Sequence, residues 1–599
     1  MRQRIDRLES LVKQLVTERE REAPKPIGDD DAHSGKALIQ DGHSVHLGTS
    51  DWQTVLDEIN ALKMTYTDQH AVEVHETPDL DLPHTVDGTS LLFNQVQPLD
   101  RVEILSCLPP KPELDQLLAR FFDRNVFRIS IPPIIHESTF RAEYNAHLQS
   151  PNETNLIWLA LLFSILGIVM LEYHQHGSPA SYKDTCEALF HLYRTRTAQC
   201  LLAGDIAKCQ PYTLEALRLN ATAELNRKDD NRRGLWIMTG VIMRVGVNMG
   251  YHFDPGDSPS ISPFVAEYRR RVWLSVVSMD DMASLLTGFP RAANSLHATT
   301  REPRNVHDWE LVPGLTVLPA SRSMEDTTSV TYMIAKGRLS RALGRVTDFN
   351  NDPRRNYDTL VDIDAALVKT YDELPGSLKI SPKDMGTMTM GNEMTKLTLT
   401  VMYHQGVCIL HRPYMARDRD SGKDRKGRYR LSRDRCISSG MTLLQLQGLF
   451  KAQPAVYKMA QARQLVMLAG MVLVLELEVR KNLNGDEDTM TGDVTDDALM
   501  AALEKSCECW REVQGVCDEA SKAAKLMFRM LRELHRHNDQ QSNDSNSGIG
   551  GFGVNGFDST VNLEGVGIGF DSDFPSINFD WATWDTFIDG TAFDSGPIY

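Results

Sequence analysis

The stretch "LIWLALLFSILGIVML", residues 156–171, is the one long apolar run in the chain. As a helix it spans only ~24 Å, which is short of the ~30 Å hydrocarbon core of a bilayer. A helix that is apolar on every side of its surface is instead surrounded by other parts of a large protein. The run therefore predicts a fully buried helix at the centre of a large helical domain.

The sequence around this run is helical in pattern almost throughout residues 105–536. Apolar residues recur at helical steps, beginning with "PELDQLLARFFDRNVF" (112–127) after a proline cluster. Loops are expected at 137–153, 255–263 and 482–497, and convincing alternating strands are absent. The pattern predicts an all-α domain with further helices at 184–203, 211–228, 233–250, 264–286, 326–348, 358–373, 390–411, 430–451, 455–482 and 496–534.

The chain opens with "MRQRIDRLES LVKQLVTERE", which carries the heptad pattern of a coiled coil. The seam begins at Met1 and continues through Ile5, Leu8, Val12 and Leu15. Two to three heptads are marginal on their own, so residues 1–22 predict a short dimerisation helix that needs a partner. Residues 23–104 are rich in Asp, His, Gly, Ser and Thr and are expected to form a mostly disordered linker.

The last segment, residues 537–599, has a different composition. A low-complexity stretch leads into "FDSDFPSINFDWATWDTFIDGTAFD", in which aromatic residues alternate with carboxylates. This composition cannot bury enough apolar surface to fold alone, and it is typical of a disordered activation segment. A merely solubilising acidic tail would not need large rings. The rings expected to contact a partner are Phe574, Phe579, Trp581, Trp584 and Phe587.

The distribution of charge limits the classes of partner that the chain can bind. The net charge is −17. The tail holds ten carboxylates and no Lys or Arg, so it carries about −10 and the rest of the chain about −7. Neither part has the basic field that nucleic-acid binding uses. The basic stretch at 417–435 is interpreted either as a nuclear import or phosphate-binding signal or as a solvated loop.

None of the candidate enzyme or metal-site motifs in the sequence is complete. The nine cysteines include no CxxC pair, which argues against a zinc cluster and for free thiols in a reducing compartment. Two GxGxxG strings at 548–556 lack the strand and helix that a dinucleotide loop requires. We expect no catalytic residues, no cofactor and no metal in this chain. The cysteine and histidine set considered as metal ligands and rejected on spacing is Cys507, Cys509, Cys517, His535 and His537.

Two adjacent carboxylates stand inside an apolar helical stretch at Asp280 and Asp281. At least one of them must face the core or a polar network, and a lone buried charge costs several kcal/mol. Pairing with an arginine is a better interpretation than acid–base catalysis. The arginines at 269–271 are candidate partners if the fold brings them near.

Several segments carry a resemblance to a known family. "LWIMTGVIMRVGVNMGYHFDP" (235–255) resembles a signature of the fungal-specific transcription factor domain, the regulatory middle region of fungal zinc-cluster factors. Tyr251 and Phe253 depart from the usual Leu and Arg. "EYRRRVWLSVVSMDDMASLLTGFPRA" (267–292) and "ILHRPYM" (409–415) are similar to later landmarks. The matching residues are Gly240, Arg244, Gly250, His252, Asp254, Arg270, Arg271, Trp273, Asp280, Gly288, Pro290, His411, Arg412 and Pro413.

The resemblance implies structural roles for these residues and no active site. Gly240 and Gly250 are expected to permit a close helix approach and a helix stop. Family members usually carry a six-cysteine, two-zinc DNA-binding module ahead of the linker and coiled coil, whereas this sequence begins at the coiled coil. Two zinc ions are therefore expected only if such a module lies upstream.

The sequence thus predicts a nuclear fungal regulator of transcription by RNA polymerase II, acting as an activator. An upstream zinc cluster or a dimer partner would supply DNA binding. The coiled coil would pair with itself or a family member, and the tail with the transcription machinery. The sequence leaves open whether a small-molecule effector binds, and no membrane partner is expected. The alternative is a ligand-sensing cofactor without its own DNA reader that heterodimerises with an intact zinc-cluster factor.

Overall fold

A computed structural model describes most of the chain from residue 99 to residue 535 and a short segment before it. The described residues are 36–40, 43–47, 99–123, 127, 129–227, 231–380, 394–415, 429–450, 460–481, 494–513 and scattered positions up to 535. The predicted dimer seam and the predicted activation tail lie outside these residues, as does most of the basic stretch at 417–435. These three predictions remain untested.

Two short strands precede the helical domain. β1 (Lys36–Gln40) pairs antiparallel with β2 (His43–Leu47), with Lys36 opposite Leu47. The linker prediction did not include this hairpin. The sequence did hold a signal for it, because Asp-Gly between two alternating stretches is the strongest short-range mark of a hairpin.

All other regular elements in the described residues are helices, so the prediction of an all-α domain is confirmed. Each helical segment predicted between residues 105 and 536 overlaps a helix of the structure. The helices are α1 (Arg101–Ser106), α2 (Lys111–Phe122), α3 (Glu137–Gln149), α4 (Leu156–His176), α5 (Cys186–Ala203), α6 (Thr213–Leu225), α7 (Arg232–Asn248), α8 (Pro263–Thr287), α9 (Thr331–Asn351), α10 (Tyr357–Asp372), α11 (Met394–Met415), α12 (Arg430–Phe450), α13 (Ala460–Lys481) and α14 (Asp496–Val513).

The prediction of a loop over 137–153 is wrong, because α3 occupies most of it. Phe140, Tyr144 and His147 are buried at helical spacing, so one side of α3 packs on the domain. The polar residues at the end of the segment, where a short 3₁₀ turn at Pro151–Glu153 follows, had suggested a loop.

The apolar run forms the greater part of α4, as predicted. α4 is long and apolar enough to cross a membrane by length and composition, yet 89% of its most apolar window is buried inside the domain. Asn155 caps its first turn by accepting a hydrogen bond from the backbone N–H of Ile157 at 2.7 Å. α4 packs mainly against α5 and α6, so it lies at the centre of the first half of the domain.

The domain has two hydrophobic cores that meet at α8 and α9. The first runs from Ile104 in α1 to Ile334 at the start of α9. The second runs from Leu285 at the end of α8 to Leu534. Because α8 and α9 contribute to both cores, the segments around them fix how the two halves are joined.

Candidate functional site

The segment that carries the family resemblance is the turn between α7 and α8. α7 is followed by Gly250 at φ +72°, a left-handed conformation that a glycine adopts without a steric penalty. The backbone N–H of Tyr251 donates to the carbonyl of Gly246 at 2.9 Å, which closes the helix end. Ser262 then caps α8 by accepting from the N–H of Val265. The expected helix stop is therefore found at Gly250.

Asp254 is the centre of this turn. Its buried carboxylate accepts from Arg270 Nε at 3.0 Å and Nη2 at 2.6 Å, and from Arg301 Nη2 at 2.7 Å. The backbone N–H groups of Gly256 and Arg301 also donate to it at 2.9 Å. Burial alone would raise the pKa of Asp254, but these hydrogen bonds outweigh it and hold that pKa well below its ordinary value. The carboxylate thus ties the turn to α8 and to the segment at 301.

The two neighbouring arginines on α8 have different partners. Arg271, which is fully buried, donates to Asp308 at 2.5 Å, and its guanidinium lies over the ring of Tyr268. Arg269 donates to the carbonyl of Met249 and stacks on Tyr251. Arg269 and Arg270 therefore hold the α7–α8 turn against α8, and Arg271 holds the segment that contains Asp308.

One of the two buried carboxylates, Asp281, does pair with an arginine, although not with one of the expected ones. Asp281 accepts from Arg291 Nη1 at 2.8 Å, and Arg291 also contacts Asp348 on α9. Asp280 accepts from the N–H of Ala293 at 2.8 Å. Burial raises the pKa of Asp281 to about 7, against the opposing charge of Arg291. The prediction that 269–271 supply the partner is wrong, because the chain turns back after α8 and brings Arg291 alongside.

Four further landmark residues lie on α8 or in the segments that flank it. Gly288 ends α8 at φ +74°, and the carbonyl of Pro290 accepts from Trp236 Nε1 at 2.9 Å. Trp273 is buried in the first core. The ring of His252 lies 4.0 Å from that of Phe253.

The close helix approach expected at Gly240 is found at a different glycine. A side chain at Gly240 would meet no atom within 4 Å, and Arg244 one turn later is exposed. At Gly246, by contrast, an added Cβ would lie 3.1 Å from the ring of Trp273. Gly246 therefore allows α7 to approach α8.

The later landmark His411 lies in a second buried polar cluster. Its ring contacts Ser432 Oγ at 2.9 Å and Asp364 Oδ1 at 3.1 Å, and Asp364 also accepts from Arg435 at 3.0 Å. Burial opposes ionisation of Asp364, but His411 and Arg435 outweigh it and lower its pKa. Arg412 is buried beside His411, and Pro413 lies within the last turn of α11.

The second cluster has the same three residue types as the catalytic triad of a hydrolase. Its members are Asp364, His411 and Ser432, but the cluster lacks the access that catalysis requires. A nucleophilic serine must be reachable by substrate and face oxyanion donors. Ser432 is fully buried, and its Oγ is also held 3.2 Å from Tyr357 Oη. The arrangement therefore joins α10, α11 and α12 rather than presenting a nucleophile.

Among the residues that the structure describes, no group of three side chains is placed to hold a metal ion. Cys507 and Cys509 are both buried thiols, and His535 contacts Glu504 at 3.2 Å. Cys517 and His537 lie outside the described residues. Burial raises the pKa of Cys507 to about 12, which keeps its sulfur protonated at neutral pH.

Sequence reasoning missed the partners that complete these clusters. Arg291, Arg301 and Asp364 lie 10, 47 and 47 positions from Asp281, Asp254 and His411. A charged residue inside an apolar stretch signals a buried partner but not which one. Asp364 shares the buried side of the amphipathic helix α10 with Leu360, Ile363 and Leu367, and a carboxylate at that spacing is itself a signal of a buried partner.

Comparison with known proteins identifies a family domain in part of the chain. The model of the "Fungal specific transcription factor domain" matches residues 118–311, which include α4–α8 and the Asp254 contacts. No solved structure matches the chain.

Several curated proteins are similar over much greater lengths. A Zn(2)-C6 fungal-type transcription factor, pigI of Monascus ruber, is 33% identical over 69% of this chain and 50% of its own length. The factor mpsB of Macrophomina phaseolina is 28% identical over 84% of this chain and 68% of its own length. The equisetin cluster transcription factor eqxF of Fusarium heterosporum is 28% identical over 84% of this chain and 73% of its own length. The chain thus spans about half the length of the first of these relatives.

The landmark residues from Gly240 to Pro290 lie within the family-domain match, whereas His411, Arg412 and Pro413 lie beyond it. All three relatives are named as transcription factors. The chain therefore contains a fungal specific transcription factor domain at residues 118–311.

Proposed function

We propose that the chain is a nuclear regulator of transcription by RNA polymerase II that activates a set of fungal genes. The family domain at residues 118–311 is the observation that carries this proposal. Relatives are named for the gene clusters that they serve, such as the equisetin cluster of Fusarium heterosporum. By analogy, the genes controlled here form a biosynthetic cluster, with DNA binding supplied by a zinc cluster outside this sequence or by a dimer partner.

The described part of the domain supports a scaffold role and not catalysis. Its buried charged groups are used to join helices: Asp254 fixes the α7–α8 turn, Asp281 joins α8 to the segment after it, and Asp364 joins α10 to α11 and α12. Such clusters give a domain defined positions for its helices, which is what a module that relays a signal between its two ends requires.

The alternative proposal is a ligand-sensing cofactor that heterodimerises with an intact zinc-cluster factor. The net negative charge of the chain is consistent with both proposals, since both place the DNA-binding module outside this sequence. Purification of the native complex separates them. A complex of identical chains contradicts the cofactor proposal, which requires an intact zinc-cluster factor in the complex.

The activation tail can be tested with the full chain fused to a foreign DNA-binding domain. Replacing Phe579, Trp581, Trp584 and Phe587 by Ala removes the rings that would enter a partner's groove. We expect reporter expression to fall to background. The matched control replaces Phe552 and Phe557, two rings in the glycine-rich stretch, and should leave expression unchanged. Equal expression from both variants would refute a role for the tail in activation.

The dimer seam can be tested by light scattering on the full chain. Leu8→Lys with Val12→Lys places two charges in the predicted interface, and we expect the mass to fall from dimer to monomer. Ser10→Lys with Gln14→Lys adds the same charges at outward positions and should remain dimeric. A dimeric Leu8/Val12 variant would show that the chain pairs through another surface.

A further inference from the structure

Helix α8 carries a fully buried arginine, Arg271, that uses only one of its side-chain nitrogens for hydrogen bonds. Its Nη1 donates to Asp308 Oδ1 at 2.5 Å and to the carbonyl of Pro133 at 3.4 Å. Nε and Nη2 are buried and have no hydrogen-bond acceptor in the described part of the chain. These two nitrogens form one edge of the guanidinium. The neighbouring Arg270 uses the same edge to hold both oxygens of Asp254, at 3.0 Å and 2.6 Å.

A buried carboxylate one helical turn before Arg271 also has an unsatisfied atom. Glu267 is fully buried, and its Oε1 accepts from the backbone N–H of Arg304 at 2.7 Å. Its Oε2 accepts no hydrogen bond within the described residues, although it lies 3.5 Å from Arg270 Nη1. Two buried donors and one buried acceptor are therefore left over on adjacent turns of α8.

Glu267 and Arg271 do not satisfy each other, although their spacing favours it. Residues four apart lie on the same side of a helix, and Glu followed by Arg at this spacing is the favourable order for an ion pair. Glu476 and Arg480 on α13 have the same spacing and are in contact at 2.5 Å. Native proteins pair nearly all buried polar atoms, with protein, water or a ligand. The unsatisfied atoms of Glu267 and Arg271 thus indicate a molecule bound between the two side chains.

The unsatisfied atoms define the chemistry of this molecule. The Nε–Nη2 edge of a guanidinium matches the two oxygens of a carboxylate, and Glu267 Oε2 requires a donor. Arg271 already contacts Asp308 and has Glu267 one turn away, so a simple anion would add a third negative charge around one guanidinium. Burial raises the pKa of Glu267 against the opposing charge of Arg271, and a cationic group nearby would stabilise its charged form. A molecule with a carboxylate and an ammonium group meets both needs without net charge.

The two side chains lie close to the surface of the domain on one side. Asp308, which contacts Arg271, has 33% of its side chain exposed, and the adjacent Trp309 is 73% exposed. The short turn Asp308–Glu310 therefore lies between Arg271 and solvent. A ligand would reach Arg271 by displacing this turn.

We propose that Glu267 and Arg271 bind a free α-amino acid, with its carboxylate on the Nε–Nη2 edge of Arg271 and its ammonium group on Glu267 Oε2. Because α8 contributes to both cores of the domain, the ligand would act on the helix that joins the two halves. This inference concerns binding alone, so its test is independent of whether the chain activates transcription.

The test begins with equilibrium dialysis of the full chain against a mixture of the proteinogenic L-amino acids. Amino-acid analysis of the protein compartment identifies the ones that bind, and we expect saturable enrichment of at least one. The bound amino acid is then compared with the acid that lacks its amino group and the amine that lacks its carboxyl group. Both are smaller than the amino acid, so neither is excluded by size. We expect each to bind about tenfold more weakly, because each loses one charge-assisted contact.

Glu267→Gln separates a ligand contact from a structural role. The amide keeps the oxygen that accepts from Arg304 and removes the charge that would face the ammonium group. We expect the preference for the amino acid over the acid without its amino group to fall about tenfold, since the variant also removes repulsion of a simple carboxylate. A purely structural role would weaken both ligands equally. Arg120→Met, which breaks a buried contact with Glu172 at 2.6 Å, is the control and should lower the Tm but keep binding and preference.

The unchanged chain alone can overturn the proposal, even where a variant fails to fold. Enrichment of no amino acid would overturn it and would assign the unsatisfied atoms to ordered water. Equal binding of the amino acid and the acid without its amino group would also overturn it. A folded Glu267→Gln variant that retains the full preference would refute the role of Glu267.

Discussion

Arg291→Met is expected to lower the free energy of unfolding by about 3–5 kcal/mol at pH 8, since it removes one partner of a buried ion pair. Asp281, with 1% of its side chain exposed, would lose the guanidinium that stabilises its charged form, and its pKa would rise further. Asp348 on α9 would lose the same contact. Chemical denaturation followed by circular dichroism measures the change.

The loss should depend on pH because burial raises the pKa of Asp281 to about 7. A carboxyl with a raised pKa takes up a proton in the folded state as the pH falls. Near pH 5.5 Asp281 is mostly neutral, so the loss of Arg291 should cost less than at pH 8. Arg354→Met breaks a contact with Asp352 in which the arginine is 89% exposed, and it should change stability by less than about 1 kcal/mol at either pH. Equal effects of the two substitutions would refute the role assigned to Arg291.

Asp254→Asn is expected to cost about 2–4 kcal/mol at neutral pH, since it removes the charge that Arg270 and Arg301 share. The amide keeps the shape of the carboxyl group, so the change reports charge and hydrogen bonding rather than packing. Glu267, 3.5 Å from Arg270, still offers a negative charge, which limits the loss.

The cost of this variant also falls as the pH falls, but in a lower pH range than the cost of Arg291→Met. The pKa of Asp254 is lowered in the folded chain, so its contribution is present above the ordinary value near 4 and is lost as the pH falls further. The difference between Asp254→Asn and the unchanged chain should be constant from pH 8 to pH 5 and narrow below pH 4. Asp257→Asn is the matched control, because Asp257 is 74% exposed and also contacts Arg301. A larger effect at Asp257 than at Asp254 would contradict the assignment.

Much of the fold could be predicted because helical periodicity is a local property. The apolar run at 156–171 and the apolar steps around it identified α4 and its neighbours, since a helix that buries one side must repeat that side every three to four residues. α3 was missed although Phe140, Tyr144 and His147 have this spacing. Its intervening polar residues suggested a loop, and only packing against the domain shows that they form the outer face.

The candidate site was less predictable because it depends on tertiary contacts. The sequence indicated that Asp280 and Asp281 need partners, but Arg291 becomes a neighbour only after the chain reverses at Gly288. Likewise, Gly240 and Gly246 both stand on α7, and only the position of Trp273 shows which one allows the close approach.

The central claim, that this chain activates transcription, is tested most directly by rapid depletion of the protein in its own fungal cells. Transcripts are then counted across the genome within the first rounds of messenger turnover. The proposal predicts a prompt fall in a limited set of transcripts, concentrated in one group of neighbouring genes. Transcript levels that stay unchanged after full depletion would contradict the claim.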